Sequence, residues 1–360
     1  MTASAITKAV AREFGTPVAV VDLDVVERNI RRVQAACEAA GLKNRPHIKT
    51  HKSPLIASMQ REAGSAGITC QKLGEAEIFV AAGHTDILIS YNLMGEEKID
   101  RLAALVPRAN LTVAADNPVA AAALSEAATR AGRTLSVVVE CDTGRKRAGV
   151  ESVGEAIGLA AGIAASPGLA FAGFLLYPPE NAMAETQAFL DEATAGVRAA
   201  GLDPAIVSTG GTPNLANLGR IRGATEHRPG TYVYNDRMMM AAGAATLADC
   251  ALTIVSTLVS RANPRRGIFD AGSKSLTADL GKLEGYGFVR EHPNARIHAL
   301  AEEHGFADLS ACEAPPAIGD VVSIVPNHVC VVVNLMDTLV AVRGDDIVGE
   351  IPVAARGRIR

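Results

Sequence analysis

The sequence predicts an α/β fold, a (β/α)8 barrel of the TIM type followed by a C-terminal antiparallel β domain. Along the first two thirds of the chain, short apolar, β-branched segments alternate with longer Ala-rich segments of helical spacing. That alternation is typical of βαβ units and a parallel sheet. After Gly243 it gives way to short β-rich segments separated by Gly, Pro and Asp. We therefore expect a barrel over residues 20–243 and a β domain formed by residues 1–19 and 244–360.

The barrel prediction depends on the number of candidate strands before Gly243, because eight βα units close a barrel. Ala-rich segments between them have helical spacing, and Pro118 falls in a first helical turn, where proline is tolerated. The predicted strands are Pro46–Lys49, Gly67–Cys70, Asp86–Ser90, Leu111–Ala115, Leu135–Glu140, Leu169–Leu176, Ala205–Ser208 and Thr225–Arg228. The clearest helices are Ser53–Ala63, Gly74–Ala82 and Asn117–Ala131.

The predicted β domain contains no long helical segment between its strands, which indicates antiparallel pairing. A further extended segment, Pro17–Asp22, precedes the barrel, and we expect that it can join the same sheet. The other predicted strands are Ala251–Ser260, Arg266–Asp270, Asp320–Val325, Val329–Asn334 and Thr338–Arg343.

Composition excludes several classes of protein. The chain has 360 residues, 21% of them charged, and a formal net charge of −4. These values exclude a disordered, collagen-like or coiled-coil chain, and they give no electrostatic reason to expect nucleic acid or an anionic membrane as partner. Six scattered cysteines without a CxxC pair indicate reduced thiols. With no signal peptide and no membrane-length apolar run, we expect a soluble, cytoplasmic protein.

Polar residues concentrate where the predicted barrel strands end, which is where barrel enzymes place their active sites. Lys49, Arg147 and Tyr177 end or follow the first, fifth and sixth strands. Ser208–Thr212 and Arg228–Tyr232 follow the seventh and eighth, the commonest position for a phosphate site in such barrels. The sequence therefore predicts a phosphate-binding active site at this end.

Lys49 is the candidate catalytic residue. On a strand, His47 and Lys49 share one face, and a lysine directed into a barrel is costly unless it is paired or used covalently. We therefore favour a Schiff-base lysine, whose amine must be partly neutral to attack a carbonyl. The alternative is a basic surface turn.

Two further loops have both a functional and a structural interpretation. Ser208–Thr212 offers hydroxyls and unhindered N–H groups, which cradle a phosphate, and Gly230 and Thr231 are placed to complete the cradle. The alternative is a tight turn that needs glycine for its backbone angles. Glu140–Gly149 alternates acids with three cations, and its alternative is a solvated loop.

His328 and Cys330 are a candidate metal pair. His328 directly precedes the predicted strand Val329–Asn334, and Cys330 lies on it. Residues i and i+2 of an extended segment share a face, so these two side chains are close enough to bind one divalent ion. Two ligands are too few for a structural zinc site, but they are consistent with a catalytic site that keeps open positions. The alternative is a buried cysteine beside a core histidine.

Taken together, these segments resemble one known family. The block Arg45–Lys52 resembles the cofactor-lysine motif of the D-threonine aldolase and D-serine dehydratase family, whose members are fold type III enzymes with pyridoxal 5'-phosphate (PLP) and an alanine-racemase-like barrel. Nearly the whole chain fits, in the family's order. The other matching segments are Ile68–Glu77, Asp142–Gly149, Ser208–Thr212, Arg228–Gly230, Glu303–Gly305, Pro326–Cys330 and Ala354–Arg358.

The resemblance implies a role for each candidate. Lys49 forms the Schiff base with PLP, Arg147 contacts the phenolic oxygen of the cofactor, and Tyr177 lies against its pyridine ring. His328 and Cys330 bind Zn²⁺ or Mn²⁺, and the family works as a homodimer in which one subunit's β domain helps to close the other's site. The implied phosphate ligands are Ser208, Gly210, Gly211, Thr212, Gly230 and Thr231.

One segment departs from the family pattern. Tyr-x-Gly-His is expected after the sixth strand, but here Tyr177 is followed by Pro178, Pro179 and Glu180. The general base therefore has no assigned residue.

By this resemblance we expect a D-threonine aldolase that cleaves 3-hydroxy-D-amino acids to glycine and an aldehyde. The alternative is a dehydratase of D-serine or 3-hydroxy-D-aspartate, which gives a 2-oxo acid and ammonia. A racemase or a non-catalytic PLP-binding protein ranks third. The non-catalytic proteins lack a β domain, and a racemase needs a tyrosine there, where residues 251–360 offer only Tyr286.

Overall fold

The computed structural model describes residues 4–360, and this part of the chain divides into two compact units. The β unit contains residues 4–31, 50–55 and 231–356. The barrel unit contains residues 32–49, 56–230 and 357–360. Apart from the short segments 50–55 and 357–360, the chain passes between units at 31/32 and 230/231, whereas the predicted domains change at 19/20 and 243/244.

Within the described residues, the barrel unit holds eight parallel strands, which confirms the predicted fold. Their order in the sheet follows the chain. The first strand pairs with the last, and a bridge between His47 and Thr69 joins the first segment to the second, so the sheet closes on itself. The strands are Lys43–Asn44, Ile68–Cys70, Asp86–Ile89, Asn110–Ala115, Leu135–Cys141, Leu169–Leu176, Ile206–Thr209 and Glu226–His227.

Capping residues set the ends of the helices, as the helix Pro118–Ala131 shows. Asn117 caps the helix Pro118–Ala131 by accepting the N–H of Ala120, and Gly132 ends it in the left-handed conformation. No helix within residues 4–360 combines the length and apolar character that a membrane span needs. The other helices are Ala5–Phe14, Leu23–Ala39, Pro54–Glu62, Leu73–Ala81, Glu96–Leu105, Val153–Ala165, Met183–Ala199, Arg237–Ala241, Ser273–Leu276 and Val329–Leu335.

The first predicted strand, Pro46–Lys49, is wrong. The ladder covers only Lys43–Asn44, and Ile48–Thr50 forms a 3-10 turn. Pro46 has no N–H to donate to a ladder, and the ring of His47 accepts the N–H of Lys49 at 3.4 Å. Lys49 therefore projects from a turn, half-buried, and strand alternation does not explain its direction.

A buried ion pair joins the first and last strands of the barrel. Arg45 Nε lies 2.8 Å from Glu226 Oε2, and its Nη1 lies 2.6 Å from Asp86 Oδ1. Ser208 Oγ donates to the other oxygen of Glu226 at 2.5 Å. The side chain of Glu226 is only 4% exposed, so its charge depends on these partners rather than on water.

We expect Glu226→Gln to lower the free energy of unfolding of the full chain by about 3 kcal/mol, because Arg45 then loses its buried anionic partner. Urea unfolding followed by circular dichroism measures the change. Asp203→Asn is the control, because it breaks an exposed ion pair with Arg198 and should cost about 0.5 kcal/mol or less. Equal losses for the two variants would contradict the interpretation.

The β unit is built on a mostly antiparallel sheet. Val18–Asp22 pairs with Leu252–Asn263 and, in parallel, with Thr338–Arg343, so the segment before the barrel does join this sheet. A cluster of valines, among them Val20, Val255 and Val340, forms part of its core. The remaining strands are Arg266–Phe269, Phe288–Val289, Arg296–Leu300, Gly305–Asp308, Val321–Val325 and Asp346–Pro352.

The predicted strand Val329–Asn334 is also wrong, because Val329–Leu335 is a helix. Its valines favour a strand, but tertiary contacts override that preference. The buried carboxylate of Asp236 accepts the N–H of Val329 at 3.0 Å, which satisfies one free donor of the first helical turn. His328 is the N-cap of this helix, so His328 and Cys330 do not share a strand face.

Candidate active site

In the barrel unit, Lys49 stands on a turn that His47 holds in place. The Nδ1 atom of His47 accepts the Lys49 N–H, and its Nε2 lies 3.1 Å from Gln71 Oε1 and 3.3 Å from Ser90 Oγ. Burial, and next the charge of Lys49, lower the pKa of His47 well below its usual value. The ring is therefore neutral, and its proton lies on Nε2 because Nδ1 is an acceptor.

The structure brings Arg147 and Tyr177 together in the barrel unit, the two residues for which the family resemblance implies cofactor contacts. The guanidinium of Arg147 lies 5.2 Å from the centre of the Tyr177 ring, and that of Arg145 lies 4.3 Å from it. Arg147 also pairs with the buried carboxylate of Glu140 at 3.6 Å. Two guanidinium groups thus lie near the ring of Tyr177.

Asp142 organises the loop that carries Arg147. Its carboxylate accepts the N–H groups of Gly144 and Arg145 at 2.7 Å and of Arg147 at 2.9 Å. Burial alone would raise the pKa of Asp142, but these bonds outweigh it and lower the pKa. The loop Glu140–Gly149 is therefore ordered by its own carboxylates and is more than a solvated charge run.

The glycine turn lies against Tyr177. A Cβ atom on Gly211 would come within 2.7 Å of the Tyr177 ring, so only glycine permits this approach. Thr212 opens the 3-10 helix Thr212–Asn217, and its Oγ1 lies 3.2 Å from the N–H of Gly230. The structure thus brings Gly211, Thr212 and Gly230 together beside the predicted ring contact.

Ser208 and Thr231 are placed differently from the other predicted phosphate ligands. Ser208 is fully buried, and its hydroxyl proton is donated to Glu226. Thr231 belongs to the β unit, where its Oγ1 lies 3.9 Å from Cys330 Sγ. Their phosphate role stays a prediction.

Arg228 is a buried cation that the sequence did not single out. Burial lowers its pKa to about 10, although Glu226 and Glu140 partly oppose that shift. Its Nη2 donates to the Leu176 carbonyl at 2.8 Å, whereas its Nη1 has no hydrogen-bond partner among residues 4–360. An orphaned buried donor is expected where a ligand completes the set. The signal available in the sequence was its place in the Arg228–Gly230 segment.

In the β unit, the predicted metal pair has a carboxylate behind it. His328 Nδ1 lies 3.0 Å from Oδ2 of the fully buried Asp236, and Cys330 Sγ lies 3.2 Å from Thr50 Oγ1. Burial acts to lower the pKa of His328, but hydrogen bonds to Asp236 and Cys330 outweigh it and raise the pKa to about 10. Asp236 was not predicted, since it lies 92 residues from His328 in the chain.

This donor set fits a catalytic metal better than a structural one. Asp236 accepts a hydrogen bond from the Nδ1–H of His328, which leaves Nε2 as the metal-binding atom, and such carboxylate–histidine pairs commonly stand behind metal ligands. Among residues 4–360, no group of three or more His, Cys, Asp or Glu side chains is suited to a metal ion. An ion held by His328 and Cys330 alone therefore keeps positions open for water or substrate.

The departure after the sixth strand has a structural consequence. Glu180, in the place of the expected histidine, forms an ion pair with Arg145 at 2.6 Å. Arg145 also donates to the Pro178 carbonyl at 3.1 Å. The loop after the sixth strand therefore has an ion pair between Arg145 and Glu180 where the expected motif has a histidine.

Two family models match the chain and divide it much as the sheets do. Residues 21–238 match the N-terminal domain of alanine racemase, and residues 251–342 match the putative serine dehydratase domain. The chain belongs to the D-threonine aldolase and D-serine dehydratase family. Members of this family are PLP-dependent.

Relatives within the family align along most of the chain. A D-threonine aldolase from Arthrobacter sp is 34% identical over 95% of this chain and 93% of its own length. A D-threo-3-hydroxyaspartate dehydratase from Delftia sp. strain HT23 is 36% identical over 88% of this chain and 90% of its own length. The sequence comparison thus finds both an aldolase and a dehydratase.

Solved structures of the family agree with this fold. The D-threonine aldolase of Filomicrobium marinum superposes with a TM-score of 0.89 at 32% identity and covers 96% of both chains. A cysteine-to-alanine variant of a D-threo-3-hydroxyaspartate dehydratase, solved in the metal-free form, has a TM-score of 0.85 at 29% identity, covering 94% of this chain and 97% of that one. In a histidine-to-alanine variant of an enzyme with the same name, the substituted histidine lies two positions before that cysteine.

Proposed function

We propose that this protein is a PLP-dependent lyase that cleaves 3-hydroxy-D-amino acids to glycine and an aldehyde. The observation that carries the proposal is the cluster formed in the barrel unit by Tyr177, Arg147 and the Gly210–Thr212 turn, in the unit that also contains Lys49. An aromatic ring, a cation and a glycine turn suit a flat, phosphorylated cofactor. The D-threonine aldolase relatives support this substrate class.

The residues of the barrel unit fit PLP. Lys49 would supply the amine that holds it, Arg147 would face its phenolic oxygen, and Tyr177 would lie against its ring. The orphaned Nη1 of Arg228 supports the presence of a further polar group in this cluster. The cofactor supplies an electron sink for the bonding electrons at the substrate Cα. The proposed phosphate ligands are Ser208, Gly210, Gly211, Thr212, Gly230 and Thr231.

Within this cluster the protein's own groups set charge and position. Glu140 and Asp142 hold Arg147, the first through its guanidinium and the second through its backbone N–H. His47 fixes the backbone at Lys49, so the amine starts from a defined turn. Pre-set groups of this kind stabilise developing charge without reorganising during the reaction.

We further propose that His328 Nε2 and Cys330 Sγ bind a divalent metal, Zn²⁺ or Mn²⁺. A metal there would polarise the substrate's β-hydroxyl as a Lewis acid and lower its pKa. The metal-free cysteine variant of the dehydratase supports a cysteine ligand in the family. We also propose that the protein is a homodimer, because the family that it resembles works as a homodimer.

A dehydratase is the second candidate, and one observation is consistent with it. The two dehydratase variants place a histidine and a cysteine two positions apart, which is the spacing of His328 and Cys330. In that reaction the Cα proton and the β-hydroxyl leave, and water then releases a 2-oxo acid and ammonia. In the aldol cleavage the hydroxyl proton leaves and the Cα–Cβ bond breaks.

Product analysis separates the two reactions. With D-threonine, we expect acetaldehyde and glycine in equal amounts, measured by chromatography after derivatisation. Equal amounts of 2-oxobutyrate and ammonia would show the dehydratase instead. D-serine and L-allo-threonine are the matched substrates, one without the β-methyl group and one with the opposite configuration at Cα alone. Absence of all four products from D-threonine would contradict the proposed reaction on that amino acid.

A further inference from the structure

A buried histidine lies directly behind the glycine turn. The ring of His227 is packed so closely against Gly210 that a Cβ atom there would come within 1.9 Å of it, and the φ of Gly210 is +72°. His227 is 3% exposed and ends the eighth barrel strand, Glu226–His227. We propose that His227 is a positioning residue that orients the Gly211–Thr212 peptide for phosphate binding, an inference that rests on the proposed PLP site.

The contact that carries this role is a single hydrogen bond. His227 Nε2 lies 3.2 Å from the carbonyl oxygen of Gly211. A carbonyl oxygen only accepts, so Nε2 must be the protonated nitrogen of the ring. Burial, and next the charge of Arg228, lower the pKa of His227 to about 4, so the ring is neutral at pH 7 and carries its proton on Nε2.

Because the peptide bond is planar, this hydrogen bond also sets the direction of the next N–H in the chain. In a trans peptide the C=O and the following N–H point in opposite directions. A ring that holds the Gly211 carbonyl on one side therefore directs the Thr212 N–H to the other side. Thr212 is a proposed phosphate ligand, and Gly211 has no side chain that restricts its backbone. The Gly211 carbonyl also accepts the N–H of Asn214 at 2.9 Å, so His227 is its second donor, and loss of the ring leaves the peptide held by that backbone bond alone.

The expected effect is moderate, because water can partly replace the lost bond. His227 borders a small cleft of about 20 Å³, enough for one water molecule, with Thr209 and Asn214 among its lining residues. A water bound in this cleft gives the Gly211 carbonyl a substitute donor, with poorer fixation of the peptide. We therefore expect about a tenfold loss of PLP affinity, which is the usual size for one neutral hydrogen bond.

His227→Asn and His227→Gln form a matched pair for the test. The Gln amide reaches the position of Nε2 and can donate to the Gly211 carbonyl, whereas the Asn amide reaches only as far as Nδ1. The dissociation constants of the full-length apoprotein for PLP and for pyridoxal, which lacks the phosphate, are measured by titration of visible absorbance. We expect His227→Asn to weaken PLP binding about tenfold and to leave pyridoxal binding unchanged, and His227→Gln to stay within about threefold of wild type.

Each outcome decides one question. If His227→Asn binds PLP as tightly as wild type, or if it weakens PLP and pyridoxal equally, the positioning role is wrong. If the wild type binds neither compound, the proposed PLP function fails first. His84→Leu is the control, since it removes a half-buried histidine elsewhere in the barrel unit and should alter neither constant. Thermal unfolding of all four proteins verifies that the variants are folded.

Discussion

Lys49→Ala is expected to abolish both the visible absorbance of bound PLP and all turnover. In the barrel unit, Lys49 is the residue proposed to supply the amine that would attack the cofactor's aldehyde, and alanine leaves no nucleophile in its place. The turn that carries Lys49 remains, because His47 accepts a backbone N–H that alanine also has. The variant should therefore fold as the wild type does and lose only the covalent attachment. Absorbance spectra of the purified protein and product assays measure the two effects.

Lys43→Ala is the matched control, because Lys43 is exposed and lies in the first barrel strand, six positions before Lys49. It should keep both absorbance and activity. Borohydride reduction of the wild type, followed by peptide mass spectrometry, should place the cofactor on Lys49. Lys52 is the competing lysine; it is buried and its Nζ lies 3.4 Å from the Ala355 carbonyl. Retained colour in Lys49→Ala, with label on Lys52, would overturn the assignment.

The barrel could be predicted because most of its strands are local apolar segments. Leu169–Leu176 has the predicted bounds, and six other strands lie within about two residues of theirs. The prediction of the first strand was wrong because Pro46 has no N–H to donate and the ring of His47 accepts the N–H of Lys49. The predicted strand Val329–Asn334 was wrong for a related reason. Its valines favour a strand, but the carboxylate of the distant Asp236 accepts an N–H of the first helical turn.

The sequence proposes site residues only where they lie in a recognisable local motif. Lys49, the Gly210–Thr212 turn and the pair His328 and Cys330 are such cases. His227 and Asp236 are different, because each gains its role from a partner elsewhere in the chain. No local pattern marks a histidine as the support of a glycine turn sixteen residues before it, or an aspartate as the support of a later histidine. Such residues become visible only when the fold brings the partners together.

Metal removal is expected to suppress turnover while PLP stays bound. The proposed ligands lie in the β unit, whereas the proposed cofactor amine and ring contacts lie in the barrel unit. Exhaustive chelation should therefore lower kcat at least about a hundredfold, the usual scale for loss of an electrophilic group, and leave the visible absorbance in place. Restoration by added Zn²⁺ or Mn²⁺ identifies the metal. Full activity after chelation, with metal content verified by mass spectrometry, would contradict a catalytic metal.

Variants of the β unit distinguish the ligands from the group behind them. Cys330→Ala removes a ligand and should abolish metal binding at this site. Asp236→Asn keeps the size of the side chain but removes the charge that holds the Nδ1 proton of His328, and we expect a 10- to 100-fold loss of metal affinity, measured by competition with a chelator. Saturating metal should then restore the activity of Asp236→Asn but not that of Cys330→Ala. If metal restored neither variant, Asp236 would act on the fold or the chemistry, and its assignment as the orienting carboxylate would be wrong.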